Sequence, residues 1–304
     1  MDLSIIVVSW NTRDLLVKCL ESIYSNAPRY TFEVFVVDND SSDDSVAVVE
    51  QSFQDVYLIK NTDNVGFARA NNQAIHHCSG RYILLLNSDT EALPDAFDEM
   101  IAFLDQHPDA GAAGSYLIGA DGRLQNSCYP EYSLFREVWR LLYLDKLKPL
   151  ALYDMDRWDT EKPHEVDVIQ GASLLLRRAT LDLTGLLDED YFMYSEEVDL
   201  CHRIKKNGWK LYWVPKSRVI HYGGQSTKLV AEKMFLRLYQ SRVLYFRKNY
   251  GSLAAFVYKL ILLFNSVLRL IFSPLVFLSR SESRKRKIKL ITYYRRLILS
   301  LNKM

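Results

Sequence analysis

The stretch Tyr82-Ile-Leu-Leu-Leu-Asn-Ser-Asp89-Thr90 decides how this chain is read. An apolar run with no polar alternation predicts a strand buried on both faces, as in a parallel sheet. The run empties at once into a carboxylate with a small polar residue on either side. Ligands of open α/β sheets bind beyond the carboxyl ends of the strands, so Asp89 stands where a metal or a phosphate-bearing ligand is expected. The plainer account is an Asp capping the helix that starts near Pro94, and residue type alone does not separate the two.

Outward from that strand, apolar β-branched runs at 3–8, 32–37 and 56–59 alternate with helical periodicity at 15–24, 45–53, 67–77 and 95–106. Such βα alternation predicts a mostly parallel sheet with helices on both faces over roughly the first 110 residues. The order then becomes mixed: a strand near 110–117, a turn at Ala120-Asp-Gly122 and an irregular aromatic stretch at 129–158. Strand character returns at 166–176, followed by a helix opening near Ser195, a short strand at 211–214 and a long helical tract from about Lys228.

With 304 residues, 49% of them hydrophobic, the chain can bury a large core and carry an appendage. A net charge of +1 gives no general attraction to nucleic acid, and none is expected as a partner. Cys19, Cys78, Cys128 and Cys201 form no CxxC pair, which argues against a disulfide framework or a zinc knuckle and fits a reducing, cytoplasmic setting. The first strand begins at Leu3 without a basic leader, so no signal peptide is read.

Residues 253–278 are the most hydrophobic stretch, yet Lys259 and Arg269 divide it into pieces shorter than the ~20 apolar residues of a spanning helix. Lys259, Ser266, Arg269 and Ser273 share an arc of about 80°, which leaves a broad apolar face and predicts an amphipathic helix lying in a membrane interface. The basic tail at 280–304 carries nine Lys or Arg against one acid, Glu282. Near an anionic leaflet each cation adds roughly 1 kcal/mol of attraction. The alternative is a helix packed on the protein's own core.

Four polar signatures fall at the ends of expected strands: Ser9-Trp-Asn11, Asp38-Asn39, Asn64-Val-Gly66-Phe67 with Asn71 a turn later, and Asn87-Ser88-Asp89. Each is ordinary turn chemistry alone. Together on one sheet edge they can bind a base and a ribose, with Asp89 as a hard oxygen ligand for a divalent cation on a diphosphate. Neither GxxxxGK[ST] nor GxGxxG is present, so neither a P-loop nor a dinucleotide site is expected.

A second cluster runs from Asp188-Glu189 through Ser195-Glu196-Glu197 to Asp199 and Arg203. With Ser195 as N-cap, Glu196 and Glu197 fall in a first helical turn, where the helix dipole favours their charge. Asp199 and Arg203 are spaced for an i,i+4 ion pair. Glu197 shares a face with Cys201 and Ile204, which points it inward as a candidate general base. His221 follows a strand ending near Val214 and precedes Gly223-Gly224, in a flexible setting, and a neutral imidazole there can complete a divalent site.

Taken in order, Ile5-Ile-Val-Val-Ser-Trp-Asn11, Val36-Val-Asp-Asn39, Asn64-Val-Gly-Phe67 with Asn71, Leu86-Asn-Ser-Asp89, Gln170-Gly171-Ala172 with Arg177-Arg178, Gly185-Leu-Leu-Asp-Glu189, Tyr194-Ser-Glu-Glu-Val-Asp199 and His221 resemble glycosyltransferase family 2 of the GT-A fold. The likeness is greatest to its bacterial rhamnosyltransferase-type members, which act in O-antigen and other cell-surface polysaccharide synthesis. It implies a GT-A α/β catalytic domain at 1–225, with a nucleotide-binding half at about 1–110 and an acceptor-binding half at about 111–225, and a C-terminal helical extension at 226–304. It also implies that Asp38 and the loop after the first strand hold the nucleotide, and that Asn87-Ser-Asp89 replaces the family's Asp-x-Asp. Asp89 and His221 would bind Mg²⁺ or Mn²⁺, and Glu197 would be the catalytic base. Gln170-Gly171-Ala172, Asp188, Glu189, Glu196 and Asp199 would shape the sugar or acceptor pocket. Asn87 stands where many members have Asp, and Glu197 where the common motif has Asp.

The expected activity is inverting, metal-dependent, non-processive sugar transfer from a nucleotide-sugar donor, dTDP-rhamnose first and UDP-hexose or UDP-N-acetylhexosamine next. The expected acceptor is a polyprenyl-diphosphate-linked saccharide at the inner face of the cell membrane. A processive synthase would carry a QxxRW motif, which is missing. A sugar nucleotidyltransferase would show a Gly-rich basic N-terminal signature, and 4–11 contains no Gly, Lys or Arg. A non-catalytic nucleotide-binding membrane protein is the remaining alternative.

Overall fold

The computed structural model describes residues 1–224, 230–273 and 281–304, the last segment as backbone only over 281–287. Lys228, residues 274–278 of the expected amphipathic segment and Arg280 of the basic tail lie outside the described residues.

The first half folds as its alternation predicts: β1 (Leu3–Ser9), α1 (Arg13–Ser25), β2 (Phe32–Asn39), α2 (Ser45–Ser52), β3 (Val56–Asn61), α3 (Phe67–Ile75) and β4 (Tyr82–Asn87). These four strands pair in the order β3-β2-β1-β4, all parallel. The uninterrupted run in β4 is buried from Tyr82 to Leu86, as a strand covered on both faces requires.

After β4 come β5 (Thr90–Ala92), α4 (Ala96–Gln106) and β6 (Ala110–Gly119), then β7 (Leu124–Gln125), β8 (Cys128–Tyr129), α5 (Leu134–Leu141), β9 (His164–Val166), β10 (Val168–Ile169) and β11 (Ser173–Arg177). α6 (Arg178–Thr184), α7 (Glu196–Lys206) and β12 (Lys210–His221) follow. The sheet continues β4-β11-β6-β12-β5, with β11 antiparallel to β4 and β6, and β12 parallel to β6. Arg177 and Arg178 serve this scaffold. Arg177 donates to the carbonyls of Leu104, His107 and Ala110 at the end of α4, and Arg178 to those of Cys78 and Gly80.

β12 corrects one expectation. The strand does not end near Val214; the register shifts between Val214 and Arg218, a bulge that accommodates Pro215, and pairing resumes to His221. His221 is therefore a buried strand residue facing Thr90 on β5, and its setting is rigid.

The chain divides into two compact units: 1–131, 152–192 and 196–229 form the first, and 132–151, 193–195 and 230–304 the second. The second is helical. α5 arises inside the stretch read as irregular, its N-terminus capped by the Ser133 hydroxyl, which accepts from the Arg136 amide. α8 (Ala231–Ile271) bends at Gly251, where φ is 88°, and packs beside α9 (Ser281–Ser300) through a core that includes Tyr258, Leu262, Tyr294 and Leu297. By length and composition α8 could cross a membrane, which its division by Lys259 and Arg269 did not anticipate, and only 28% of its most apolar window is buried.

Part of the polar arc of α8 faces inward. Asn265 and Ser266 are buried in the unit, and Arg269 reaches inward to Asn265 Oδ1 (2.8 Å), the Leu141 carbonyl (2.9 Å) and the Tyr143 hydroxyl (3.0 Å). Phe256, Leu260, Phe264 and Ile271 are exposed.

Candidate active site

The expected ligand residues converge at the carboxyl ends of β1, β2 and β4, all within the first unit. Strand register sets Ser9 beside Asp38 and Val8 beside Asn87. A hydroxyl relay crosses from β1 to the loop after β4: Ser9 Oγ to Thr12 Oγ1 is 3.1 Å, and Thr12 Oγ1 to Ser88 Oγ is 2.9 Å. Asp38 accepts the Ser41 amide at Oδ2 (2.9 Å), while its Oδ1 is buried with no hydrogen-bond partner among the described residues. Leaving a carboxylate oxygen unsatisfied costs roughly 1–3 kcal/mol or more, so this atom is built to meet a ligand or water. Asn11, at φ 52°, accepts the Ser42 amide at its Oδ1 and donates its own amide to the Ser41 hydroxyl, closing the rim of the same loop.

The next group shapes the loop before α3 and does not present free amides. Asn39 Nδ2 donates to the Gly66 carbonyl (3.3 Å) and Asn39 Oδ1 accepts from Asn61 (2.9 Å), while Asn64 Oδ1 accepts the Gly66 amide (3.0 Å). Gly66 has φ 87°, and a Cβ there would lie 2.3 Å from the Phe192 carbonyl oxygen, which the Phe67 amide bonds at 2.8 Å. Asn71 donates to the Phe67 carbonyl and keeps a buried Oδ1 with no partner among the described residues.

The metal candidates face each other. His221 Nε2 lies 3.3 Å from Asp89 Oδ1, and Gln125 Oε1 accepts from His221 Nδ1 at 2.9 Å. With the ring proton on Nδ1, the Nε2 lone pair points at Asp89 and at Asn87 Nδ2, 3.3 Å away. The Tyr222 amide bonds the Asp89 carbonyl, which ties the two segments together. No group of three His, Cys, Asp or Glu able to hold a metal occurs among the described residues. One carboxylate and one imidazole suit an Mg²⁺ or Mn²⁺ that takes its other ligands from substrate phosphates and water. Gln125 was not legible as a site residue; it sits on a two-residue strand and nothing local marks it.

On the other side stands α7. Glu197 is half-buried, and the Gly171 backbone sits where a Cβ would be 3.9 Å from the Glu197 Cβ and 3.4 Å from the Phe67 ring. The Ala172 carbonyl accepts the Asn87 amide (3.1 Å), so the 170–172 loop joins the Asp89–His221 side to Glu197, with Gln170 Oε1 buried and without a partner among the described residues. Burial, and then the neighbouring Glu197 charge, pushes the Glu196 carboxyl well above the usual range. The cap expected of Ser195 is not made: φ is 68° and its buried hydroxyl has no partner among the described residues. Asp199 is spent on Arg203 (2.8 Å), whose other nitrogens bond the Thr184 and Leu186 carbonyls. Glu189 pairs with Arg69 and receives Asn72, and Asp188 accepts the Asp190 amide. These bonds tie the three acids into the scaffold.

A mostly parallel sheet with polar loops and a carboxylate–imidazole pair at the carboxyl ends of its strands is the arrangement of a GT-A glycosyltransferase. The chain belongs to the family described as Glycosyl transferase family 2, matching its model over residues 4–184, and it is a hexosyltransferase of rhamnosyltransferase-like type. It is 28% identical over 240 residues to N-acetylglucosaminyl-diphospho-decaprenol L-rhamnosyltransferase of Mycobacterium tuberculosis, covering 74% of this chain and 77% of that protein. To rhamnosyltransferase WbbL of Escherichia coli it is 26% identical over 255 residues, covering 76% and 87%. Among solved structures, mannosyltransferase PcManGT from Pyrobaculum calidifontis with GDP-Man and Mn²⁺ shares the fold with a TM-score of 0.58 at 19% identity, over 99% of this chain and 84% of that one. Staphylococcal TarS 1–349 with UDP matches with a TM-score of 0.54 at 17% identity, over 100% and 92%.

Proposed function

We propose that the protein transfers one rhamnose from dTDP-rhamnose, with inversion, to a polyprenyl-diphosphate-linked saccharide at the cytoplasmic face of the cell membrane. The observation that carries the metal-dependent reading is the Nε2 lone pair of His221 directed at Asp89 Oδ1. A Mg²⁺ or Mn²⁺ held by these two would supply positive charge to the departing diphosphate. Asp38, with an unclaimed buried oxygen, receives the nucleoside, and the 9–12 and 87–89 loops fix the donor's register. Glu197 takes the proton of the acceptor hydroxyl as its oxygen bonds the anomeric carbon, and the bond from that carbon to the diphosphate breaks with its electron pair on the phosphate. The activities for which these two relatives are named support a lipid-linked acceptor and rhamnose as the sugar.

The second unit would bring the enzyme to that acceptor. Exposed apolar residues on α8, with Asn265, Ser266 and Arg269 engaged on the inner side, suit a peripheral, interfacial seat in lipid. Thermal stabilisation by dTDP, UDP and GDP, each with and without Mn²⁺, tests the donor reading. A ligand at 100 times its Kd adds about 2.7 kcal/mol. A Mn²⁺-dependent shift with dTDP, lost in Asp89→Ala, is expected; a shift with UDP alone would replace the donor by a UDP-hexose, and no shift with any nucleotide would overturn the metal–diphosphate site.

A further inference from the structure

The two units carry opposite charge. By sequence the first holds 18 Lys and Arg against 33 Asp and Glu, and the second 20 against 4. The near-neutral whole therefore conceals a strongly cationic helical unit, and that unit also carries the exposed apolar face of α8. A second apolar cluster sits on α5 and the 3₁₀ turn Leu144–Lys146 that follows it. Phe135 is 61% exposed, Leu142 41% and Leu147 82%, and exposed Lys146 and Lys148 flank Leu147. Trp139 packs beside Phe135 and donates its indole proton to the Lys148 carbonyl at 2.8 Å, which braces the tip.

The two apolar surfaces meet in a groove of about 270 Å³ between α5 and α8, lined by Leu141, Leu142, Val257, Leu260, Ile261 and Phe264 among others. They are joined rigidly from below, where Arg242 and Arg140 both pair with buried Glu137 and Tyr258 donates to it at 2.8 Å. An apolar tip braced by Trp and ringed by Lys, continuous with an apolar helix face on a cationic unit, matches an anionic bilayer in both charge and polarity.

We propose that residues 133–148 are a second membrane-inserting element, entering an anionic leaflet together with α8, and that the groove between them takes one acyl chain of that leaflet. This rests on the membrane seat proposed above and names what that reading left unassigned: the α5 tip, the lipid charge and the groove's occupant.

The test uses the full chain with vesicles of phosphatidylcholine, alone or mixed with phosphatidylglycerol, in a flotation assay. The chain is expected to float with the mixed vesicles and at least tenfold less with pure phosphatidylcholine. Phe135→Ser with Leu147→Ser, both at exposed positions, should weaken that binding at least tenfold, and Lys146→Glu with Lys148→Glu should do likewise in low salt. Phosphatidylglycerol brominated on its acyl chains should quench part of the tryptophan emission, and that part should be missing in Trp139→Phe. Equal binding to both vesicle types, unchanged binding of the Phe135/Leu147 variant, or no Trp139 quenching would overturn the proposal. So would a wild-type dimer in solution that becomes monomeric in that variant without loss of vesicle binding, since the face would then belong to a second copy. Nucleotide-dependent thermal shifts in the same variants read the donor site separately: vesicle binding without them refutes the metal–diphosphate donor reading alone, and the reverse refutes this one alone.

Discussion

His221 Nε2 approaches Asp89 Oδ1 to 3.3 Å because the ring's other nitrogen is held by Gln125. Three strands meet in this relationship, since β4 delivers Asp89, β12 delivers His221 and β7 delivers Gln125. The imidazole is thereby kept in the tautomer that offers Nε2 to a cation.

Replacing Gln125 by Leu should therefore raise the Mn²⁺ concentration needed for half-maximal activity by about 10- to 100-fold while leaving saturated turnover nearly intact. His221→Ala should abolish the Mn²⁺-dependent part of the nucleotide thermal shift. A metal titration in which Gln125→Leu matches the wild type would show that Gln125 does not set the ring.

Glu197→Gln should lower kcat by about 10²- to 10⁴-fold with nucleotide stabilisation unchanged, because the amide keeps the shape and removes the basic oxygen. Preserved turnover would remove Glu197 from the reaction.

Glu196 gives a pH signature. Its carboxyl is raised in the folded state, so its contribution to stability is full below the unfolded pKa and is lost as pH rises through the folded one. Glu196→Gln mimics the protonated form and should flatten the fall of Tm with rising pH. Parallel Tm profiles for the two proteins would mean that Glu196 titrates normally.

Much of this was legible in the sequence, and what was not has identifiable causes. Uninterrupted apolar runs such as 82–86 located four strands within a residue or two of where they lie; β1, β2 and β4 show that pattern because they are buried on both faces, while β3 at the sheet edge is partly exposed. β12 was cut short because Pro215 reads as a stop, and only the bulge reveals that pairing resumes. α5 was missed because its eight residues, Leu134–Leu141, lie in an aromatic stretch and depend for stability on buried Glu137 and its two arginines. Asn39, Asn64 and Asp199 fell among the ligand candidates on residue type, yet hydrogen bonds with residues distant in sequence for Asn39, two residues on for Asn64 and a helical turn away for Asp199 engage them. Gly66 stood among the donor-site candidates as part of the Asn64-Val-Gly66-Phe67 signature; its closeness to Phe192, which makes glycine necessary, is tertiary.

That buried cluster supplies the last test. Burial alone would lift the Glu137 carboxyl, but the charges of Arg242 and Arg140 outweigh it and hold the group down to about 2. A depressed folded-state pKa gives stability that is full above the unfolded value of about 4.5 and drains as pH falls toward about 2. The helical unit should accordingly lose stability across that window, seen as a fall in helical circular dichroism or in Tm. Glu137→Ala, which strands Arg242 in an apolar interior, should cost about 3–5 kcal/mol at neutral pH and abolish most of the acid dependence. Should Glu137→Ala unfold with the wild-type acid profile, the carboxylates responsible lie elsewhere, and α5 is held to α8 by apolar packing and not by its buried charges.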